Sequence, residues 1–387
     1  MNFNNYGQLK IGGAGEVPML ETLNNYSNGH IQILSGSTLT KYGTSNFTGG
    51  SILINESGIF KYNAGQLNFN GLDSIYGAGC FNILNSWAGN TFPVVNNSLI
   101  IKCDTFYSNM GLLMNSSVTI GQNSKAIFEN LNVTGSAKLY NFGLLGGNTG
   151  IYPDSIINYG IVSPGNNSIA TMNLTSNYRN IGKIKLELND LNNDVIIFNN
   201  PITINVGTLE LTENPLSKVK VGDVRNIIQS PSYSGQFNNV IGCFEILYKS
   251  GGIDVKKNFE NAIFCAFPHD TIYLSSSVDT LYLKYPITFD IPLTIIGESS
   301  INNTIFIDFS LPGFINSNFG LNNISNQNVK FMNIYFKEIN NTLLPLFIND
   351  GHLILENIKM ERVDGTDVIF ICDENSMLEI IGDVNIE

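Results

Sequence analysis

Carboxylates are the residues whose spacing in this chain comes nearest to chemistry. Asp190 and Asp194 bracket Asn192-Asn193 in what reads as a turn, and Asp364, Asp367, Asp373 and Glu374 fall in one short stretch near the C-terminus. Carboxylates gathered on a turn can hold a cation, and a pair on adjacent strands can divide the acid and base work of glycoside cleavage. A plainer use competes with both: Asp and Asn in turns bond their own backbone, or stand solvated. A polysaccharide lyase would also need Lys or Arg as a strong base beside carboxylates holding a cation. The chain has three Arg (Arg179, Arg225, Arg362) and three His (His30, His269, His352), none inside an acidic cluster. His269-Asp270 precedes a strand and is expected to cap it. GGAGEVP from Gly12 and LGGNTG at 145–150 lack the strand-to-helix setting in which glycines cradle phosphate.

The five cysteines, Cys80, Cys103, Cys243, Cys265 and Cys372, are far apart, with no CxxC and no Cys/His pair at metal spacing. They are expected to be buried free thiols, Cys243 and Cys265 included, since neither has a His or Lys beside it to activate it. No catalytic, cofactor-binding or metal-binding residue is assigned, and no cofactor is expected. Aromatic stacking is the other option for recognition. The chain has 16 Tyr and 24 Phe, and a flat face of aromatics and Asn can hold sugar rings. Tyr42 and Tyr62 are a candidate stack, although columns packed between coils are the more ordinary use of such rings.

Composition bounds the partners. At 387 residues the chain exceeds the size at which one compact core stops growing, which leaves two domains or a solenoid. Charged residues are only 13% against 43% apolar, and 37 are Gly, a balance that suits a polar, uncharged, turn-rich surface. A net charge of -12 with 20 unclustered Lys and Arg removes the footprint that a phosphate backbone requires, so nucleic acid is not an expected partner. No apolar run reaches the length of a membrane span, and MNFNNYGQLK does not read as a signal peptide. Eleven N-x-S/T sequons, among them Asn46, Asn55, Asn115, Asn132, Asn302 and Asn340, point weakly to a secretory pathway.

The elements that would position these side chains repeat. ILSGSTLTKY from Ile33 and LINESGIFKY from Leu53 match at an offset of twenty, placing Ser37 on Ser57, Leu39 on Ile59 and Lys41-Tyr42 on Lys61-Tyr62. NNSLII, NSSVTI and TGSAKL space Ser98, Ser117 and Ser136 nineteen apart, and LYNFGLL from Leu139 matches IINYGIV from Ile156 at seventeen. Near the C-terminus LFINDGHLILENIKM and IFICDENSMLEIIGDV repeat with a period in the low twenties. Within each unit apolar residues alternate over a few positions between Gly, Asn, Asp or Ser, the mark of short half-buried strands. A unit of that length is one turn of a coil whose strands pair with the coils above and below, about 4.8 Å away. The expected fold is therefore all-β, a right-handed parallel β-helix, with Ser98, Ser117 and Ser136 in one file. NFENAIFCAF, 258–267, is the best helix signal: Phe259, Ala262, Ile263 and Ala266 share a face and Pro268 ends it. It divides the chain into sections 1–257 and 258–387, caps the second, and leaves MLEIIGDVNIE reading as an unfinished coil that is expected to continue.

The segment from Gly160 through Ser163-Pro164-Gly165-Asn166, Ser168, Thr171, Tyr178, Glu187 and Asp194 to Gly207-Thr208-Leu209 resembles the C-terminal part of bacterial autotransporter passenger domains. From Asn258 onward, DTIYLSS, PLTIIGESSINNTIFI and the LILENIKM rungs are similar to the pectate-lyase-like β-helix of polymorphic outer-membrane and related surface proteins. These resemblances imply a right-handed parallel β-helix and a surface, adhesive or glycan-associated role; a fold alone does not license an activity. The expected function is a non-enzymatic structural or adhesive solenoid, a stalk, fibre or coat component, at the cell surface or secreted. Its partners would be glycans, cell-surface molecules or neighbouring copies. The rival is a β-helix polysaccharide lyase or glycoside hydrolase with carboxylates from the C-terminal section, and a third reading is a scaffold that only assembles into filaments.

Overall fold

A computed structural model describes residues 2–72, 74–84, 93–130, 132–165, 168–174, 177–215, 218–275, 280–283, 285–298, 304–308, 319–324, 327–339, 345–362, 370–383 and 385–386. The described chain is almost entirely strand, laid down as stacked parallel coils: a parallel β-solenoid of about 14 turns. It falls into two compact units. One comprises Met1–Asn214, Asn226–Ile241 and Tyr248–Ile253, and the other comprises Pro215–Arg225, Gly242–Leu247 and Asp254–Glu387.

In the first unit each coil contributes a strand to each of three parallel sheets. Asn2–Asn5, Thr22–Asn25, Ser45–Phe47 and Leu67–Phe69 open the first sheet, each hydrogen-bonded to the next. Gln8–Ile11, His30–Ile33, Ser51–Ile54 and the start of Ser74–Ile83 open the second. Gly15–Met19, Ser37–Lys41, Ile59–Tyr62 and the end of Ser74–Ile83 open the third. Strand residues alternate between faces, so the inward set of each strand stacks on the inward set of the next. Ile31, Ile52, Ile75, Ile101 and Ile120 form one such file in register, all of them fully buried. Leu39, Phe60, Phe81 and Phe106 form another, with the Phe60 and Phe81 rings 4.7 Å apart and Phe81 and Phe106 5.4 Å apart, both stacked.

The register corrects two expectations. Leu39 pairs with Phe60, Thr40 with Lys61 and Lys41 with Tyr62, an offset of twenty-one rather than twenty. The two turns agree: Gly36 and Ser57, twenty-one apart, both have positive φ, 71° and 57°. A slip of one residue exchanges inside for outside along a strand. At twenty, Lys61 would have followed Lys41 into the core; at twenty-one, Phe60 and Tyr62 fill it and Lys61 faces out. Tyr42 and Tyr62 are therefore not a stack: Tyr62 is inside, its hydroxyl donating to the Gly43 carbonyl oxygen at 2.9 Å. The serine file also stops short. Ser98 and Ser117 do stack, with Oγ atoms 2.9 Å apart, but Val118 pairs with Leu139, so Ser136 falls two residues out of line. An even slip keeps Leu139 facing inward, which is why the core tolerates it. LYNFGLL and IINYGIV do stack at seventeen, Leu139 on Ile156 and Asn141 on Asn158.

In the second unit, three further parallel sheets open with Thr271–Leu274 beside Leu293–Gly297, Thr280–Leu283 beside Thr304–Asp308, and Ile287–Phe289 beside Leu321–Asn323. Ile272, Ile295, Phe331 and Leu355 stack as an inward file. The two late repeats pair as expected, Phe347 on Phe370 and Leu353 on Leu378. The helix spans Phe259–Phe264, shorter than its sequence signal. The Asn258 side chain accepts the Asn261 N–H at 2.8 Å as its N-cap, and Phe259 and Ala262 enter the apolar core of this unit.

Candidate functional site

The polar side chains of this solenoid are largely occupied by the coil next door. The Asn24 amide donates to Asn4 Oδ1 at 2.8 Å, Asn46 to Asn24 at 2.9 Å and Asn68 to Asn46 at 2.8 Å, a ladder along the outer face of the first sheet. A second, wholly buried ladder replaces the isoleucine file. After Ile120 the same inward position is held by Asn141, Asn158 and Asn180, and then by Ile204. Asn141 donates to Asn158 and Asn158 to Asn180, each at 2.7 Å, and the Tyr178 hydroxyl donates to Asn180 at 3.0 Å. Their amides also donate to backbone carbonyls at the corner, Asn141 to Ile161 (2.9 Å), Asn158 to Lys183 (3.2 Å) and Asn180 to Gly182 (3.1 Å). Phe142 and Tyr159, the residues after two of these Asn, stack outside at 4.8 Å and 2°. The next residues, Gly143, Gly160 and Gly182, lie so close that a Cβ on Gly160 would sit 2.1 Å from the Gly143 carbonyl oxygen. The signal for this device is the tripeptide Asn-x-Gly, seen here as NFG, NYG and NIG.

Of the described members of the two carboxylate groupings, Asp194 and Asp373 are engaged with nearby backbone. Asp194 is fully buried, and its two oxygens accept the Ala170 and Glu187 N–H groups at 2.8 and 2.7 Å. Burial pushes its carboxyl up to about 7, against the pull of those two N–H groups. Asp194 thus fastens the start of the coil to the end of the preceding strand. Beside it, Asn189 Oδ1 accepts from the Leu191 and Asn192 N–H groups at 3.0 and 2.6 Å, the local turn bonding expected here. Asp373 accepts from the Glu374 N–H at 2.8 Å and its carbonyl from the Ser376 hydroxyl at 2.7 Å, a turn of the same kind. Asp364 and Asp367 lie outside the described residues, as does the Arg362 side chain. Among the described residues no three His, Cys, Asp or Glu side chains come together.

Other described ionisable candidates also bond to neighbouring residues. His30 Nδ1 lies 2.8 Å from Ser51 Oγ, and His352 Nε2 lies 3.2 Å from Glu379, both across neighbouring coils. Arg225 pairs with Asp223 at 3.0 Å. Asp270 accepts the Phe267 N–H at 2.8 Å and pairs with Lys218. Burial alone would raise its carboxyl, but these two partners hold it below the usual range. In the Gly-rich stretches, the Gly13 carbonyl accepts the Ser37 hydroxyl at 2.8 Å, and Gly147 packs against Phe128 with φ 123°. Of the motif residues near 160–209, Tyr178 is buried and Gly165 turns the chain at φ 77°. Of the sequons, Asn25 is wholly buried with its amide on the Gly29 and Gly49 carbonyls, at 2.9 and 2.8 Å. Asn115 and Asn132 are exposed, whereas Asn302 and Asn340 lie outside the described residues.

The thiol expectation needs correction. Cys243 and Cys265 form a disulfide with Cα atoms 6.0 Å apart. Cys372 is exposed, Cys80 half-buried, and Cys103 is the buried thiol that was expected, raised by burial to about 12. Sequence separation gave no sign that Cys243 and Cys265 meet, because the distance is closed by a loop and a helix end and not by the repeat. Sequence reasoning also missed Lys41, whose fully buried amine donates to the Tyr42 carbonyl oxygen. Burial lowers its ammonium to about 8, with Glu21 pulling the other way. The inward parity of Lys41 was the signal available. Finally, a hollow of about 550 Å³ lies beside the helix, lined in part by Phe264, Tyr285, Glu260 and Asp290.

These features define a parallel β-solenoid whose polar groups serve mainly to hold coil to coil. No known family matches the chain, and no curated protein matches it.

Proposed function

We propose that the chain is a non-enzymatic structural or adhesive solenoid, a stalk, fibre or coat component at the cell surface or outside the cell, presenting a polar face to glycans, cells or neighbouring copies. The observation that carries this reading is the outer amide ladder of Asn4, Asn24, Asn46 and Asn68, in which groups able to do chemistry are used for stiffness and a continuous uncharged surface. The disulfide supports a location outside the reducing cytosol. The resemblance of 160–209 to autotransporter passenger domains, and of the later rungs to surface-protein β-helices, supports the same placement.

The test is a glycan-array screen of the purified chain together with incubation on acidic and neutral polysaccharides. Binding without release of reducing or unsaturated ends is the expected result. Release of such ends would overturn the reading in favour of the polysaccharide-active rival. Particles that stay strictly monomeric in sedimentation and bind no glycan would remove both the adhesive and the assembling versions.

A further inference from the structure

Many cations of this acidic chain are paired with a carboxylate. Lys183 and Lys185 lie against Glu210, Lys218 against Asp270, Lys220 against Glu298 and Lys330 against Glu356. Lys102 and Arg179 differ: both are exposed, and neither makes an ion pair among the described residues. Both stand on the outer face of the second sheet, where Leu99–Ser108, Val118–Ile120, Lys138–Asn141, Ser155–Asn158 and Asn177–Asn180 follow one another in register. Lys102 belongs to the first of these strands and Arg179 to the last, four coil steps or about 19 Å apart. With the Asn205 amide turned so that its oxygen faces Arg179, the guanidinium donates to it from Nε and Nη2 at 2.7 and 2.8 Å. That contact orients the charge without neutralising it.

Between the two cations the outer face is aromatic and aliphatic. Tyr140 pairs with Ile157, both half-buried and pointing outward. Beside them Phe142 and Tyr159, each 45% exposed, stack at 4.8 Å. The coil between Lys102 and Phe142 carries Gly121 at this place, and the Lys102 stem lies over it, its Cγ 3.0 Å from where a Cβ on Gly121 would stand. The strands Val118–Ile120, Lys138–Asn141, Ser155–Asn158 and Asn177–Asn180 contain no Asp or Glu. Asp154 precedes Ser155, at the opposite end of its strand from Tyr159.

This combination selects a class of partner. The three middle strands are each paired on both sides, so no backbone edge is offered to an added peptide strand. The face offers instead ring and alkyl surface with a positive charge towards each end. A sugar chain can meet both, laying its C–H faces on the apolar side chains while carboxylate or sulfate groups take charge-assisted bonds from Lys and Arg. A neutral chain would leave the two charges unanswered, and single-stranded nucleic acid requires a basic track that follows its backbone. We infer that an anionic glycan binds along this face, its acidic groups on Lys102 and Arg179 and its rings over Tyr140, Phe142, Ile157 and Tyr159. The inference rests on the glycan-facing reading of the chain and narrows it to acidic sugars and to the second sheet.

The test is biolayer interferometry of the full chain on immobilised hyaluronan, which is carboxylated, heparin, which is sulfated, and dextran, which is neutral. Binding to one or both acidic glycans and not to dextran is expected, and it should weaken as salt rises. Lys102→Gln and Arg179→Gln should each weaken it about two- to fivefold. Phe142→Leu combined with Tyr159→Leu, which keeps apolar cover without the rings, should weaken it about two- to tenfold. Lys61→Gln, the same loss of charge on the third sheet, should change nothing. Unchanged urea midpoints confirm that the variants are folded. The inference is overturned by absence of binding to both acidic glycans, by equal binding of dextran, or by an equal loss in Lys61→Gln. Oligothymidine bound as tightly as heparin would also overturn it, by making the face a general polyanion surface. Acidic-glycan binding that survives all the platform variants overturns this site and leaves the glycan reading standing, whereas that reading falls by the separate result of released reducing or unsaturated ends.

Discussion

Two buried ionisable side chains give opposite pH signatures. The folded chain lowers the Lys41 ammonium from 10.5 to about 8, so between those values the unfolded chain holds the extra proton and stability rises with pH. Lys41→Met keeps the bulk without the charge. Urea unfolding should find it more stable than wild type at pH 7, on the order of 1–3 kcal/mol, with the gap closing towards pH 10.5. A gap that did not change with pH would mean that the amine is not desolvated. Asp194 runs the other way. Its folded carboxyl sits near 7 against 3.8, so the folded chain holds the extra proton in that window and its contribution falls as pH rises through it. Asp194→Asn turns an amide N–H towards one of two backbone N–H donors and should cost about 1–3 kcal/mol, read as a lower urea midpoint. It should also abolish the pH-dependent part between 4 and 7. Both residues look ordinary in the sequence, because what shifts them is inward parity and closure by a neighbouring coil.

At the scale of the element, the helix Phe259–Phe264 is too short to persist alone and depends on what holds its ends. Asn258 caps one end and the Cys243–Cys265 bond ties the other. Replacing both cysteines by serine removes a constraint spanning 22 residues and should cost about 3 kcal/mol by the loop-entropy relation. Hydrogen exchange should show the loss first at 259–265, with Leu293–Gly297 and Asn328–Met332 keeping their protection. Uniform loss over all these strands would make the disulfide a support of the whole unit. The helix was legible in the sequence because its apolar residues repeat at helical spacing and Pro268 stops it. The disulfide was not, since nothing in the local pattern says that segment 242–247 returns to the helix end.

For the whole molecule, the repeat means that each coil touches mainly its neighbours, so damage should stay local. Gly160→Ala puts a methyl group 2.1 Å from the Gly143 carbonyl oxygen and should cost about 1–3 kcal/mol or more, whereas Gly7→Ala, with open space around it, should change stability by less than about 0.5 kcal/mol. Exchange protection should fall at Lys138–Asn141 and Asn177–Asn180 and stay unchanged at Ser37–Lys41. Protection lost equally at both distances would contradict a nearest-neighbour solenoid. What the sequence alone determined was the architecture: short alternating strands at a period near twenty, punctuated by Gly and Asn, have no way to bury their apolar side except by stacking coil on coil. What only the tertiary structure decided was the register, and with it the chemistry. A match of letters put Lys41 on Lys61, whereas packing put Tyr62 there, because filling the interior with rings is favourable and burying a second ammonium is not.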